Sequence, residues 1–283
     1  MAINSLAGSF SESIIGIVGL GHLGHSLAVP LIKNGLRKDR LLISHKGSED
    51  TRRRAVELGL GSCLTDTASL MASADIMIIA TRPQDVLSLP SSALKPGSLV
   101  ISCMAGLPLD LLKTIFRGDV MRMMCSGPDT ILGGRGIATT FPADPRAEAV
   151  LHMMGLRVFD SSFEEELDSF TVGICIPAIL LNICADERDV RDAVGGMMER
   201  YPVYKKLWGW IREISPACSG LGSDDRRASL ENVSTKGGIT QAMMDALLEG
   251  DSFSLAIQRG MHRGREITDT IRKDLAVASK RAV

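Results

Sequence analysis

Ile14-Ile15-Gly16-Ile17-Val18-Gly19-Leu20-Gly21-His22-Leu23-Gly24 runs an apolar strand into G-x-G-x-x-G, and a helix-compatible stretch through Leu27 and Leu31 follows. In that context the glycines have separate jobs. Gly19 permits the tight turn, Gly21 lets backbone approach a pyrophosphate, and Gly24 allows close helix packing. The helix start then offers unpaired N–H donors and a positive dipole end, a site for a dinucleotide. His22 and Leu23 fall within the same turn. His22 and His25 form H-x-x-H, but neither a third ligand nor an acidic partner is near, so no metal site is expected.

Working outward, short apolar runs alternate with helical stretches from Ile14 to about Asp160, the pattern of βαβ units around a parallel sheet. Ile14–Val18, Leu41–Ser44, Ile76–Ala80, Leu99–Ser102, Val120–Met123 and Gly136–Thr140 are the candidate strands. Runs such as Ile76-Met77-Ile78-Ile79-Ala80 are apolar on both faces, as a strand covered by helices above and below requires. The expected fold is therefore α/β, with an N-terminal Rossmann-type doubly wound parallel sheet.

After Glu164 the strand signals fade and apolar residues recur at helical spacing, as in Leu167, Phe170, Thr171 and Ile174, and again in Met243, Met244, Leu247 and Leu248. The reading is a dinucleotide-binding unit over 1–163 and an all-helical unit over 164–283. Between Cys184 and Ile214 many charges mix with Met197, Met198, Tyr201, Leu207, Trp208 and Ile211, so those helices need a partner surface.

The end of the second strand reports the cofactor subtype, because an acidic residue there binds the ribose 2′-hydroxyl of NAD. Here it reads Ser44-His45-Lys46, with Arg52, Arg53 and Arg54 a short helix start away. A hydroxyl, an imidazole and an ammonium suit a 2′-phosphate better than a free diol, so NADPH is expected, with NADH as the alternative. Lys46 and the arginines also read as a solvated loop and helix face.

Composition narrows the remaining classes. The 283 residues carry 32 Lys plus Arg against 33 Asp plus Glu, a formal net charge of -1, so no chain-wide basic surface for nucleic acid or anionic lipid is expected. Hydrophobic residues at 45% and charged residues at 23% suit a folded globular protein rather than a disordered one. The six cysteines show no C-x-x-C pair or regular spacing and read as reduced, buried thiols. No stretch offers about 18 uninterrupted apolar residues and Met1–Ser13 lacks the pattern of a signal peptide, so the expectation is a cytoplasmic protein with no membrane partner.

The order of several motifs resembles the pyrroline-5-carboxylate reductase family, which reduces a five-membered cyclic imine to proline with NAD(P)H. The residues are GIVGLGHLG at 16–24, SHK at 44–46, ATRPQDV at 80–86, ISCMAGL at 101–107, VMRMMCSGP at 120–128, Pro177-Ala178, and ENVSTKGGITQAMMDALLEG at 231–250. The resemblance spans most of the chain and implies a C=N reductase. Met104, Ala105 and Gly106 lie at the carboxyl edge of the sheet and are assigned to the nicotinamide side, while Thr81, Arg82 and Pro83 sit at the same edge of the preceding strand, where Arg82 reads as a contact to cofactor, as a contact to a substrate carboxylate or as a surface residue. The resemblance implies that Gly238 and Ile239 bind a substrate carboxylate through backbone amides, with Asn232 near the substrate. Thr240 would be the catalytic hydroxyl, hydrogen-bonded to the ring nitrogen. Independently, Gly237-Gly238-Ile239-Thr240 precedes a helical pattern, so its N–H groups form an anion site at a helix start. Thr240 also reads as a plain helix N-cap.

The departures touch the pocket. Arg82-Pro83 stands for the family's Lys-Pro, Met124-Cys125-Ser126-Gly127-Pro128 for M-P-N-T-P, Ile174-Cys175-Ile176-Pro177-Ala178 for G-S-G-P-A, and Thr235-Lys236-Gly237-Gly238-Ile239-Thr240 for S-P-G-G-T-T. They leave open a different cyclic imine, since pocket shape selects the ring, and also a nucleotide-binding homologue without turnover. Cys125 and Cys175 have no adjacent base to make either a nucleophile. The family's helical domain intertwines two subunits, which implies a homodimer or higher homo-oligomer. The helical half reads as too short to close its own core, and its Met-rich apolar faces agree with that.

Overall fold

Ile76 and Ile78 of the third strand pack into one buried core, while Met77 and Ile79 pack into a second. That division of a continuous apolar run between two faces is what layered helices impose on a parallel sheet. The computed structural model describes residues 12–183, 186–218 and 237–281. Its sheet has the order β2-β1-β3-β4-β5-β6-β7, with β1 Ile15–Val18, β2 Leu41–Ser44, β3 Ile76–Ile79, β4 Leu99–Ser102, β5 Asp119–Cys125, β6 Ile137–Phe141 and β7 Arg157–Asp160. The first five strands are parallel, and β1 pairs with β2 on one side and β3 on the other. The strand order reverses at β1, and in such folds ligands bind in the crevice beyond the carboxyl ends of the strands at that point.

Two features depart from the expected parallel sheet. β6 runs antiparallel to β5, and β7, which stands on no candidate list above, adds parallel to β6. Between Cys125 and Ile137 the chain has room for only one short helix, α5. A parallel return needs a crossover of about a dozen residues or more, so the strand turns back instead.

The helices around the sheet are α1 His22–Lys33, α2 Glu49–Glu57, α3 Thr67–Ser73, α4 Leu109–Ile115, α5 Pro128–Leu132 and α6 Pro145–Met153. Gly16 in β1 explains how closely α3 sits, since a Cβ there would lie 2.6 Å from Leu70 Cδ2 and 2.9 Å from Ala74 Cβ. Beyond the sheet follow α7 Glu165–Asn182, α8 Glu187–Arg200, α9 Val203–Cys218, α10 Ile239–Leu248 and α11 Phe253–Arg281.

α7 is buried on nearly every side, as an apolar helix with little polar face must be. α9 packs on it through Leu207, Trp210, Ile211 and Ile214, and Met124 and Ile137 of the sheet join the same core. The apolar faces that the sequence left in need of a partner therefore find most of it within one chain. Met197, Met198 and Trp208 stay half-buried at the edge of that core.

Polar and apolar contacts tie the helices to the sheet. Arg122 of β5, 1% exposed, donates through Nη1 to Glu164 Oε1 at 2.8 Å and through Nη2 to Asp168 Oδ1 at 2.7 Å. A buried guanidinium requires such partners, because desolvating an unpaired charge costs several kcal/mol, on the order of the whole stability of a marginal domain. The long helix α11 returns to the sheet edge, where Ile267 and Ile271 enter a sheet core and Thr268 Oγ1 donates to the Gly106 carbonyl. No described helix is long and apolar enough to cross a membrane.

Candidate active site

The turn after β1 has the geometry its glycines predict. Gly19 adopts φ +102°, and a Cβ there would meet the Ala80 carbonyl at 2.9 Å. A Cβ on Gly24 would lie 1.9 Å from Gly19 O, so that residue seats α1 against the turn. Gly21 differs from both. Its Cβ would meet nothing within 4 Å, and the residue borders a cavity of about 920 Å³. Gly21 is the N-cap of α1, no side chain caps it, and the first turn carries no acidic residue. Uncapped N–H donors beside an open backbone face fit the diphosphate of a dinucleotide.

His22 and Leu23 line the cavity with Gly21. His25 stands one turn behind, its Nδ1 3.1 Å from Gly21 O and its ring 6.4 Å from that of His22 in an edge-on arrangement. Burial pushes the His25 pKa below its ordinary value, and Arg54 and His22 add repulsion. His25 is therefore neutral at physiological pH and brings no positive charge to the diphosphate region.

At the end of β2, Ser44 is buried and its Oγ has no hydrogen-bond partner, while His45 Nδ1 accepts from Gly47 N at 3.0 Å. Lys46 Nζ pairs with Asp85 Oδ1 at 2.5 Å, across to the turn after β3. None of these three lines the cavity, whereas Arg53 and Arg54 of α2 do. Arg53 pairs with Asp50 at 2.6 Å, and Asp50 and Glu57 stand on the same wall. Thr81, Arg82 and Pro83, at the end of β3, complete this charged end.

The opposite end has a different chemistry. Cys103, Met104 and Ala105 follow β4, Met124 and Cys125 end β5, and Thr171, Ile174 and Cys175 of α7 line the cavity with Gly238, Ile239 and Thr240 at the start of α10. Gly106 does not join them. Its φ of +76° and the 2.7 Å approach of Gly264 O to where its Cβ would stand make it a packing residue beneath α11. Among the described residues no acidic or basic side chain lines this end. Burial pushes the Cys125 thiol up to about 12 and the Cys175 thiol up to about 11, and holds Cys103 well above its ordinary value. All three are neutral thiols.

Gly237 turns the chain at φ +71°, and Gly238 is the N-cap of α10 without a side-chain cap. Arg263 of α11 holds the turn by donating from Nε to Gly237 O at 2.7 Å. Ile239 packs toward α11, its Cγ2 3.4 Å from where a Cβ on Gly260 would lie, and this accommodates a residue larger than threonine. Thr240 is 4% exposed, with Oγ1 3.1 Å from Cys175 Sγ. Asn232 lies outside the described residues. Sequence reasoning places the Ile174–Ile176 departure at the pocket but does not single out Thr171 or Ile267 for the cavity wall, nor the approach of Cys175 to Thr240. No local pattern signals a contact between residues 65 positions apart.

The chain is similar to known proteins over most of its length. Residues 14–106 match the family model described as NADP oxidoreductase, coenzyme F420-dependent. A pyrroline-5-carboxylate reductase of Staphylococcus aureus is 26% identical over 254 residues, covering 84% of this chain and 90% of that protein. The corresponding reductase of Aquifex aeolicus is 27% identical over 112 residues, which span 39% of this chain and 41% of that one. Among solved structures, the NADP-bound pyrroline carboxylate reductase of Plasmodium falciparum superposes with a TM-score of 0.54 at 16% identity, covering 91% of this chain and 99% of that one. The glycine turn, the fold and these matches make the chain similar to pyrroline-5-carboxylate reductases over most of its length, and an NAD(P)H-dependent oxidoreductase.

Proposed function

We propose that the chain uses NADPH to reduce a small cyclic imine carboxylate, with 1-pyrroline-5-carboxylate giving L-proline as the leading substrate. The observation that carries this reading is the uncharged end of the cavity, where uncapped N–H groups of α10 stand beside the Thr240 hydroxyl. A helix N-terminus suits a carboxylate, and a hydroxyl there suits the ring nitrogen. The cofactor supplies the hydride. Gly238 and Ile239 anchor the carboxylate, Thr240 orients the nitrogen, and Met104 and Ala105 flank the nicotinamide. At the other end Arg53 and Arg54, with Lys46 at the rim, favour NADPH over NADH. Residues 1–163 then form the cofactor unit and 164–283 the substrate and dimerisation unit of a cytoplasmic homodimer.

The three thiols stay protonated well above neutral pH, so among the described residues none at this end gains or loses a proton in the working range. The proton on nitrogen must then arrive with the imine, and kcat/KM should fall as pH rises through the imine's own pKa. The deciding experiment is NADPH oxidation with pyrroline-5-carboxylate, with six-membered piperideine carboxylates in parallel. Thr240→Ala should lower kcat by about 100-fold and leave NADPH affinity unchanged. Wild-type turnover in that variant would make Thr240 a helix cap. A different ring is the second reading, favoured because Ile174, Cys175 and Cys125, all departures from the family motif, stand in the cavity wall. Faster turnover of the six-membered ring would establish it.

A further inference from the structure

Gly237 stands in the left-handed region at φ +71°, and its carbonyl accepts from Arg263 Nε of α11 at 2.7 Å. Arg263 Nη1 donates to Glu266 Oε2 at 2.8 Å, three residues further along the same helix, which aims the planar fork at the turn. This contact fixes more than an oxygen. The peptide bond between Gly237 and Gly238 is trans and flat, with its C=O and N–H pointing to opposite sides, so holding the Gly237 oxygen also sets where the Gly238 N–H points. Gly238 is the N-cap of α10 and part of the cavity wall.

α11 is itself fixed to the sheet edge. Ile267 lines the cavity and packs into the same core as Met104, and Thr268 Oγ1 donates to the Gly106 carbonyl in the turn after β4. From residue 263 to residue 268 the helix rises about 7.5 Å, a rigid interval between the Gly237 turn and the Gly106 turn. Arg263 stands outside the cavity wall and does not reach the reacting atoms.

We propose that Arg263 is a positioning residue that locks the plane of the Gly237–Gly238 peptide and so presents the Gly238 N–H to the substrate carboxylate. This rests on the imine carboxylate reading of the site and deepens it, by naming what holds the anion donor. Two glycines in succession need such a brace, because without side chains each reaches many backbone conformations, and a freely turning peptide plane loses the donor. A donor ordered in advance spares the substrate the cost of ordering it, so the hold acts on substrate binding more than on the hydride step. Because α11 is anchored at Gly106, the hold also places the carboxylate at a set distance from the nicotinamide side.

The test uses the full-length protein with pyrroline-5-carboxylate and NADPH. Arg263→Met keeps an apolar stem without a donor, and Arg263→Lys restores one. The side chain is 36% exposed, so neither substitution opens a core. Methionine should raise KM for the imine by about 10-fold with kcat and NADPH affinity within about 2-fold of wild type, and lysine should recover most of that loss. An unchanged KM in the methionine variant, or equal losses in both variants, overturns the proposal. A second measurement needs no turnover. The NMR order parameter of the Gly238 amide should be about 0.85 in wild type and fall below about 0.6 in Arg263→Met. An amide equally rigid in both proteins shows that Arg263 does not hold the peptide, and overturns the proposal. Loss of that rigidity in Arg263→Met, in a protein whose wild type reduces no cyclic imine, would instead remove the imine reading and leave the hold on the peptide standing.

Discussion

At one end of the cavity the wall is made by what glycines leave out; at the other it is made by side chains brought from distant parts of the chain. Gly19, Gly21 and Gly24 lie within six consecutive positions, and each has a distinct geometric role. Cys103, Cys125, Cys175 and Thr240 come from the turn after β4, the end of β5, α7 and α10, and meet only because those elements pack together. The first end carries arginines and carboxylates and suits a charged dinucleotide. The second carries no charged side chain among the described residues. A local site of this kind is robust to changes elsewhere, while an assembled one depends on every contact that sets its elements in place.

The largest expected effect comes from the glycine end. Gly24→Ala forces a Cβ against Gly19 O and should destabilise the fold by about 3 kcal/mol, measured by denaturant unfolding. Gly21→Ala meets no atom of the protein, so it should change stability by less than about 1 kcal/mol. It should still weaken NADPH binding by about 10-fold, because the added methyl enters the space a diphosphate requires. Equal behaviour of the two variants would erase the division between packing and binding glycines.

The assembled end depends on Arg122. Arg122→Met removes the guanidinium that holds Glu164 and Asp168 at the start of α7, and both carboxylates retain some access to water. Its expected cost is therefore about 2 kcal/mol, below the usual value for breaking a fully buried pair. kcat should fall more than NADPH affinity, since α7 carries Thr171 and Cys175 to the neutral end. A variant that loses NADPH affinity first would show that the two ends are not separately supported.

The smallest effect concerns the rim of the charged end. Lys46→Ala should weaken NADPH several-fold and leave NADH unchanged, and Asp85→Asn, which releases Lys46, should tighten NADPH about 2-fold. Parallel fluorescence titrations with both cofactors at fixed ionic strength would separate these outcomes. Equal losses of NADPH and NADH in Lys46→Ala would remove Lys46 from the phosphate site.

Much of the fold was legible because its signals are local. Ile76-Met77-Ile78-Ile79 can only be a strand with two covered faces, and Leu41–Ser44 and Leu99–Ser102 fall where their apolar runs lie. The reversal at β6 was not legible, because strand direction depends on the length and path of a connection, and an apolar run carries neither. β7 was missed for a related reason. Its residues Arg157 to Asp160 are only partly buried, and an edge strand with charged ends has no strong apolar signature. Arg122 sat unnoticed in an otherwise apolar strand; a lone arginine in such a run does point to partners, but not to which ones.

The sequence by itself determined the doubly wound architecture, the dinucleotide turn and the helix start after Gly238, because each rests on neighbours along the chain and on backbone conformations that only certain residues adopt. Tertiary structure alone decided that Lys46 meets Asp85, that Gly106 lies beneath α11, that α9 is covered within one chain, and that Cys175 touches Thr240. Those contacts join residues tens to more than a hundred positions apart, and which groups meet at that range is set by how whole elements pack.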